Sequence, residues 1–141
     1  MTAKEYLRQF RQLGFRIQTI REEIAAIEAE RGALAISIDG LPHSSGISDR
    51  TGRLAARLAD ELGAMQEELV EINTDYWSKR QIIVKQINSL DDAVCVRILK
   101  LRYVGGYSWE EIAADMAYTV RYVLMLHGKA LQDFAKKVNI P

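Results

Sequence analysis

The stretch LRYVGGYSWEEIAADMAYTVRYVLMLHGKAL, residues 101–131, decides the fold, because it breaks where a helix-turn-helix breaks. A helix through Ile98, Leu99 and Tyr103 stops at Gly105-Gly106. Ser108 opens a second helix, with Glu111 completing a capping box. That helix is about two turns long and presents Ile112, Ala113 and Met116 on one side. Ala117-Tyr118 reads as a turn, and Thr119 caps a third helix that runs to about Lys136. The small Ala113 suits two backbones that cross steeply and closely. In this arrangement the third helix is the one that enters the major groove of DNA.

The register of the third helix follows from its apolar face. Val123, Leu126, Ala130, Leu131 and Phe134 share one side and are expected to pack on Ile112, Ala113, Met116 and Leu99. The opposite side carries Thr119, Arg121, Tyr122, Leu124, Met125, Gly128 and Lys129. The first turn of such a helix reaches base edges while its flanks touch phosphates. Arg121 is the foremost candidate, since its guanidinium fork can bond a guanine edge or a phosphate. Thr119 and Tyr122 can donate to phosphate, and Lys129 can pair with one. Leu124 and Met125 fit thymine methyl groups or, equally, a protein partner or a second copy. His127, on the inward edge, reads as a packed, hydrogen-bonded histidine. Between Thr119 and Lys137 four basic residues (Arg121, Lys129, Lys136, Lys137) meet one acid, Asp133.

Upstream, Thr2 and Glu5 form a capping box at the start of a long helix. Its apolar residues recur in heptad fashion: Tyr6, Leu13, Ile20, Ile27 and Leu34 at one position, Phe10, Ile17 and Ile24 at the other. Arg31 frays the seam. Residues 35–50 read as a loop from their glycine, proline and serine content. Ser48 or Asp49 then caps a second long helix from about Arg50 to Asn88. Its seam is Leu58, Leu62, Met65, Leu69, Ile72, Tyr76, Ile83 and Leu90, interrupted by Lys79 and Gln86, with Trp77 beside it. One loop joins the two, so they form an antiparallel hairpin. The seam asks for cover from a second copy, the preferred reading, or from the C-terminal helices. Ser89 with Asp92 starts the next helix. The expectation is therefore an all-α chain with a hairpin over 1–89 for oligomerisation and a DNA-binding module over 90–141.

Composition narrows the function classes. The 141 residues are 48% hydrophobic with 2 prolines, which favours a folded chain. A net charge of zero, from 19 basic and 19 acidic residues, argues against sequence-blind coating of nucleic acid and leaves room for a local basic face. Cys95 is the only cysteine, so no internal disulfide and no cysteine-rich zinc site are available, and its apolar run reads as core. No segment approaches the ~20 apolar residues of a membrane span, and no signal-peptide core opens the chain. A cytoplasmic protein is expected. His43 has no identifiable partner. Nothing resembles a nucleophile–base pair, a phosphate-cradling loop or paired catalytic acids, so neither an enzyme nor a cofactor is expected.

The segment from Leu90 to Phe134 resembles region 4 of bacterial sigma factors in Leu101-Arg102-Tyr103, Gly106, Trp109-Glu110-Glu111-Ile112-Ala113, Val123 and Ala130-Leu131. It resembles more closely the ArpU-like late-transcription activators of Gram-positive phages and prophages. They share the run Leu126-His127-Gly128-Lys129-Ala130-Leu131, the loop run Ser44-Ser45-Gly46 to Asp49-Arg50, and an N-terminal helical hairpin. Met125 stands where such proteins often carry a basic residue. The resemblance implies a DNA-binding activator of phage genes whose partners are double-stranded DNA and RNA polymerase; the uncovered seam adds a second copy, a dimer, as the expected oligomer. The alternative of another class is a phage packaging or assembly protein such as a small terminase subunit, which also joins a helix-turn-helix to an oligomerising hairpin.

Overall fold

The structure, a computed structural model, describes residues 1–39 and 47–141. Its elements are α1 (Ala3–Asp39), α2 (Ile47–Asn88), α3 (Ala93–Leu99), a π-helical turn over Lys100–Val104, α4 (Trp109–Met116) and α5 (Val120–Lys137). No strand occurs among the described residues, so the chain is all-α, as its periodicities predict.

Side-chain caps set where the helices begin. The Thr2 backbone N–H donates to Glu5 Oε2 at 2.9 Å and the Glu5 N–H donates to Thr2 Oγ1 at 3.2 Å. This reciprocal pair satisfies two otherwise orphaned donors. At α3 the cap is Asp92 alone, whose Oδ1 accepts from the N–H groups of Val94 and Cys95. Ser89 does not start that helix; its hydroxyl donates back to the Gln86 carbonyl at 2.6 Å and closes α2. Part of the expected loop over 35–50 is helical. Residues 35–39 continue α1, and α2 starts at Ile47 rather than near Arg50. Pro42, His43 and the run Ser44-Ser45-Gly46 lie outside the described residues.

The chain divides into two compact units. In the unit of residues 17–73, α1 and α2 pair antiparallel. Ile27 packs with Leu58 and Leu62, flanked by Ile24, Leu34 and Met65. Ile17 and Ile20 are buried as well. These are seam positions, and the narrow heptad stripe suffices where one helix meets one other.

The unit of residues 1–16 and 74–141 is built differently. Ala3, Leu7 and Phe10 of α1, Ile83 and Ile87 of α2, Leu90, Cys95 and Leu99, Tyr103, and Ala130, Phe134 and Val138 share one core. Leu7 and Ile87 are fully buried although neither belongs to the heptad seam. Their burial follows from the third layer: helices covered on two sides need a wider apolar stripe than a coiled-coil seam. The seam's interruptions also find partners. Gln86 accepts from the Tyr6 hydroxyl at 2.8 Å, and Lys79 pairs with Asp75 at 3.0 Å. Phe10 stacks on Tyr76 with centroids 4.9 Å apart.

The compact units therefore do not part at residue 89. The length of α5 supplies the reason. Its 18 residues outrun the 8 of α4, so only its first half is covered by α4. Val123 packs with Ile98, Ile112 and Ala113, bordered by Met116 and Leu126. Ala130, Leu131 and Phe134 meet Leu99, one of their expected partners, but not Ile112, Ala113 or Met116; the rest of their cover comes from α1 and α2.

Candidate nucleic-acid interface

The approach to α4 is a tightly specified turn. The Gly105 N–H donates to the Lys100 carbonyl at 2.8 Å, an i to i+5 bond that widens the end of the first helix into a π turn. A Cβ on Gly105 would sit 2.9 Å from the Leu101 carbonyl oxygen, and Gly106 holds φ +75°. Both positions thus favour glycine, Gly105 for want of space and Gly106 for its left-handed backbone. Ser108 then caps α4 through Oγ, which accepts from the Glu111 N–H at 3.1 Å. Glu110 and Glu111 sit in its first turn, where the helix dipole favours acids.

α4 ends in a Schellman motif: the Tyr118 N–H donates to the Ala113 carbonyl at 3.0 Å and that of Ala117 to Ala114 at 3.4 Å. Ala117 takes the left-handed conformation, φ 56°, that such a motif needs. Thr119 Oγ1 accepts from the Tyr122 N–H at 3.1 Å and starts α5. The predicted helix, turn and helix are therefore held at each joint by a named side chain or backbone bond.

Behind α5, the Tyr103 hydroxyl and His127 Nε2 lie 2.7 Å apart, both buried. Trp109 meets the imidazole edge-on at 4.5 Å between centroids. Burial first, then the charges of Lys4 and Arg102, lower the His127 pKa to about 4, so the ring is neutral at pH 7. Burial likewise raises the Tyr103 pKa, against the opposing pull of Arg102, Arg11 and Arg8.

The residues expected to read DNA lie along the outer side of α5. Arg121 is exposed and joins no ion pair among the described residues. Met125, one turn on, is 61% exposed. Gly128 follows on the same stripe, and a Cβ there would meet open space. Thr119 is exposed, and its hydroxyl proton remains available while its oxygen caps the helix. Tyr122 is exposed and packs edge-on against Tyr118 at 4.9 Å. Lys129 is already committed: its Nζ pairs with Asp92 Oδ2 at 3.2 Å. The bond to Lys129, and then the Val94 and Cys95 N–H groups, hold the Asp92 carboxyl below its usual range, and Asp92 in turn raises Lys129. A phosphate would have to compete with that carboxylate.

Leu124 is exposed on one flank of α5 and lines an open concavity of about 360 Å³. The rest of its wall is Lys4, Arg8 and Arg11 of α1, Arg102, Tyr103, Trp109 and His127. Four cations meet here, and among the described residues no carboxylate lines the wall. Reading charge along α5 alone misses this cluster. Its signal is Lys4, Arg8 and Arg11 at i, i+4 and i+7, one cationic stripe on α1.

Among the described residues no helix is long and apolar enough to cross a membrane, and no group of three or more His, Cys, Asp or Glu side chains gathers as a metal site would require. Comparison of the chain with protein-family models, curated proteins and solved structures finds no match.

Proposed function

We propose that this chain binds duplex DNA through α4 and α5 and regulates transcription, as an activator of late genes in a phage or prophage. The observation that carries the reading is the outer stripe of α5. Arg121 and Met125 project from it, and Gly128 follows at a position where a side chain would meet nothing. Glycine inside a helix costs about 1 kcal/mol relative to alanine, and no internal contact explains it here. A closely approaching partner is compatible with it, as with Gly32, Gly52 and Gly63 of the long helices, which meet open space too, so the exposed Arg121 and Met125 are what mark this stripe. With α5 in the groove, Arg121 takes a base edge or phosphate, Thr119 and Tyr122 donate to phosphates, and Leu124 and Met125 lie against thymine methyls.

The phage setting, activation rather than repression, and RNA polymerase as a second partner rest on the resemblance to the ArpU-like activators. Self-association is supported by Leu54, Val70, Trp77 and Ile82 of α2, large apolar side chains that are exposed. A dimer would match an operator with two half-sites one helical turn apart.

The test is genome-wide recovery of the DNA bound to the chain in cells, with its mass in solution measured alongside. A few recurring sites and a dimeric mass are expected. Recovery of no enriched sequence would overturn the regulatory reading, and a large closed ring in place of the dimer would turn it toward DNA packaging.

A further inference from the structure

We propose that the concavity bounded by Lys4, Arg8, Arg11 and Arg102 holds phosphate of the DNA backbone beside α5, so that the N-terminal helix is part of the nucleic-acid interface. The proposal rests on the reading of α5 as a groove-binding helix.

Three observations carry it. First, the cations are gathered at a cost. Lys4 and Arg8, and then Arg8 and Arg11, are helix neighbours of like charge, which destabilises an isolated helix. Neither Lys4 nor Arg8 joins an ion pair among the described residues. The acid whose field reaches Arg102 is Glu110, and it does not line the concavity.

Second, the two inner guanidinium groups are held in position before any ligand arrives. Arg11 Nε donates to the Arg102 carbonyl at 3.0 Å, and its guanidinium lies 4.4 Å over the Phe15 ring. Arg102 Nη1 donates to the Tyr107 carbonyl at 3.0 Å, and its guanidinium lies 4.2 Å over Trp109. Each is half-buried, and burial lowers the pKa of both, Arg102 being pushed further by Arg11. Each still has N–H groups beyond the one used, and a guanidinium pinned by ring and carbonyl loses little freedom on taking a phosphate.

Third, the concavity has the right place relative to α5. Leu124, which lines it, lies about 60° around the helix axis from Arg121. A helix seated in a groove about 12 Å wide has a phosphate strand on each flank. The flank at Leu124 offers four cations without a carboxylate. At Lys129, by contrast, the cation is already paired with Asp92.

The experiment is a binding titration of labelled duplex, target and scrambled, at several salt concentrations, with the full chain and its Lys4→Ala/Arg8→Ala variant. Both side chains are exposed, so a thermal melt of the variant should match the parent. The variant is expected to bind both duplexes about tenfold more weakly and to flatten the slope of log affinity against log salt by about one to two. Lys4→Arg/Arg8→Lys should restore both. A variant with the parent's affinity and slope would overturn the proposal and leave the α5 reading standing. Loss on the target duplex alone would also overturn it, since a phosphate contact does not distinguish sequences. If the parent binds no duplex, the α5 reading falls and this proposal with it. If a polyglutamate probe is then held by the parent and not by the variant, the concavity belongs to an acidic protein segment instead.

Discussion

The Tyr103 hydroxyl and His127 Nε2 share a 2.7 Å hydrogen bond inside the core, joining the π turn before α4 to the middle of α5. The bond makes the stability of the helix-turn-helix depend on a neutral imidazole. His127 titrates near 4 in the folded chain and near 6.5 when unfolded. Above pH 6.5 both states are neutral and the contribution is complete. As pH falls below 6.5 the unfolded chain takes up a proton that the folded chain refuses, so stability declines, by at most about 1.4 kcal/mol per pH unit. Urea unfolding between pH 7.5 and 5 should show this slope, and His127→Gln should flatten it. Parallel curves for the two proteins would place the proton elsewhere.

Gly128→Ala separates stability from binding. The added methyl meets open space and removes a glycine from a helix interior. The variant should therefore gain about 0.5–1 kcal/mol in a denaturant melt. It should also bind duplex DNA more weakly, because the methyl stands where the partner's surface comes close. Tighter or unchanged binding would show that this part of α5 stays clear of the ligand.

Ala117 spends its conformation on the turn. At φ 56° and ψ 39° an alanine is strained by roughly 1–2 kcal/mol, and glycine is not. Ala117→Gly should stabilise the chain by about 0.5–1 kcal/mol in thermal unfolding, after the glycine's greater freedom in the unfolded state is counted. A destabilised variant would contradict the left-handed turn.

A fragment of residues 90–141 should not fold cooperatively. It would expose Leu99, Phe134 and Cys95, whose partners Leu7, Phe10, Ile83 and Ile87 lie in the first 89 residues. Each large side chain left uncovered forfeits about 1.5–3 kcal/mol, and a few such losses match the net stability of a small domain. A broad melt for the fragment beside a sharp one for the full chain is expected. A sharp melt for the fragment would mean that the cluster around Ile112 and Val123 suffices alone.

Short-range signals were legible in the sequence and long-range ones were not. Thr2, Ser108 and Thr119 announce helix starts because a cap involves residues three apart, and all three accept the expected backbone N–H, although Glu111 does not return the second bond of a capping box to Ser108 as Glu5 does to Thr2. The heptad seam is equally local and holds for Ile27, Leu58 and Leu62. Leu7 and Ile87 escape that reading because their burial depends on α5, far away in sequence. Of the residues expected to face DNA, Arg121, Tyr122, Leu124 and Met125 are exposed as the helical wheel predicts. The wheel gives no hint that Lys129 meets Asp92, 37 residues earlier. Nor does it bring Lys4 and Arg8 beside Leu124; only the packing of α1 against the C-terminal helices does so.

The most direct test of duplex binding through α5 is a titration of target and scrambled duplex against the parent chain and Arg121→Ala, repeated at several salt concentrations. Arg121 is exposed, so the variant should melt as the parent does. The parent should bind both duplexes with an affinity that falls as salt rises, and the target more tightly. Arg121→Ala should lose on the order of 1–3 kcal/mol on the target and much less on the scrambled sequence. Salt-independent affinity in the parent, or an Arg121→Ala protein that binds the target as well as the parent does, would contradict DNA recognition by this helix and give its exposed face to a protein partner.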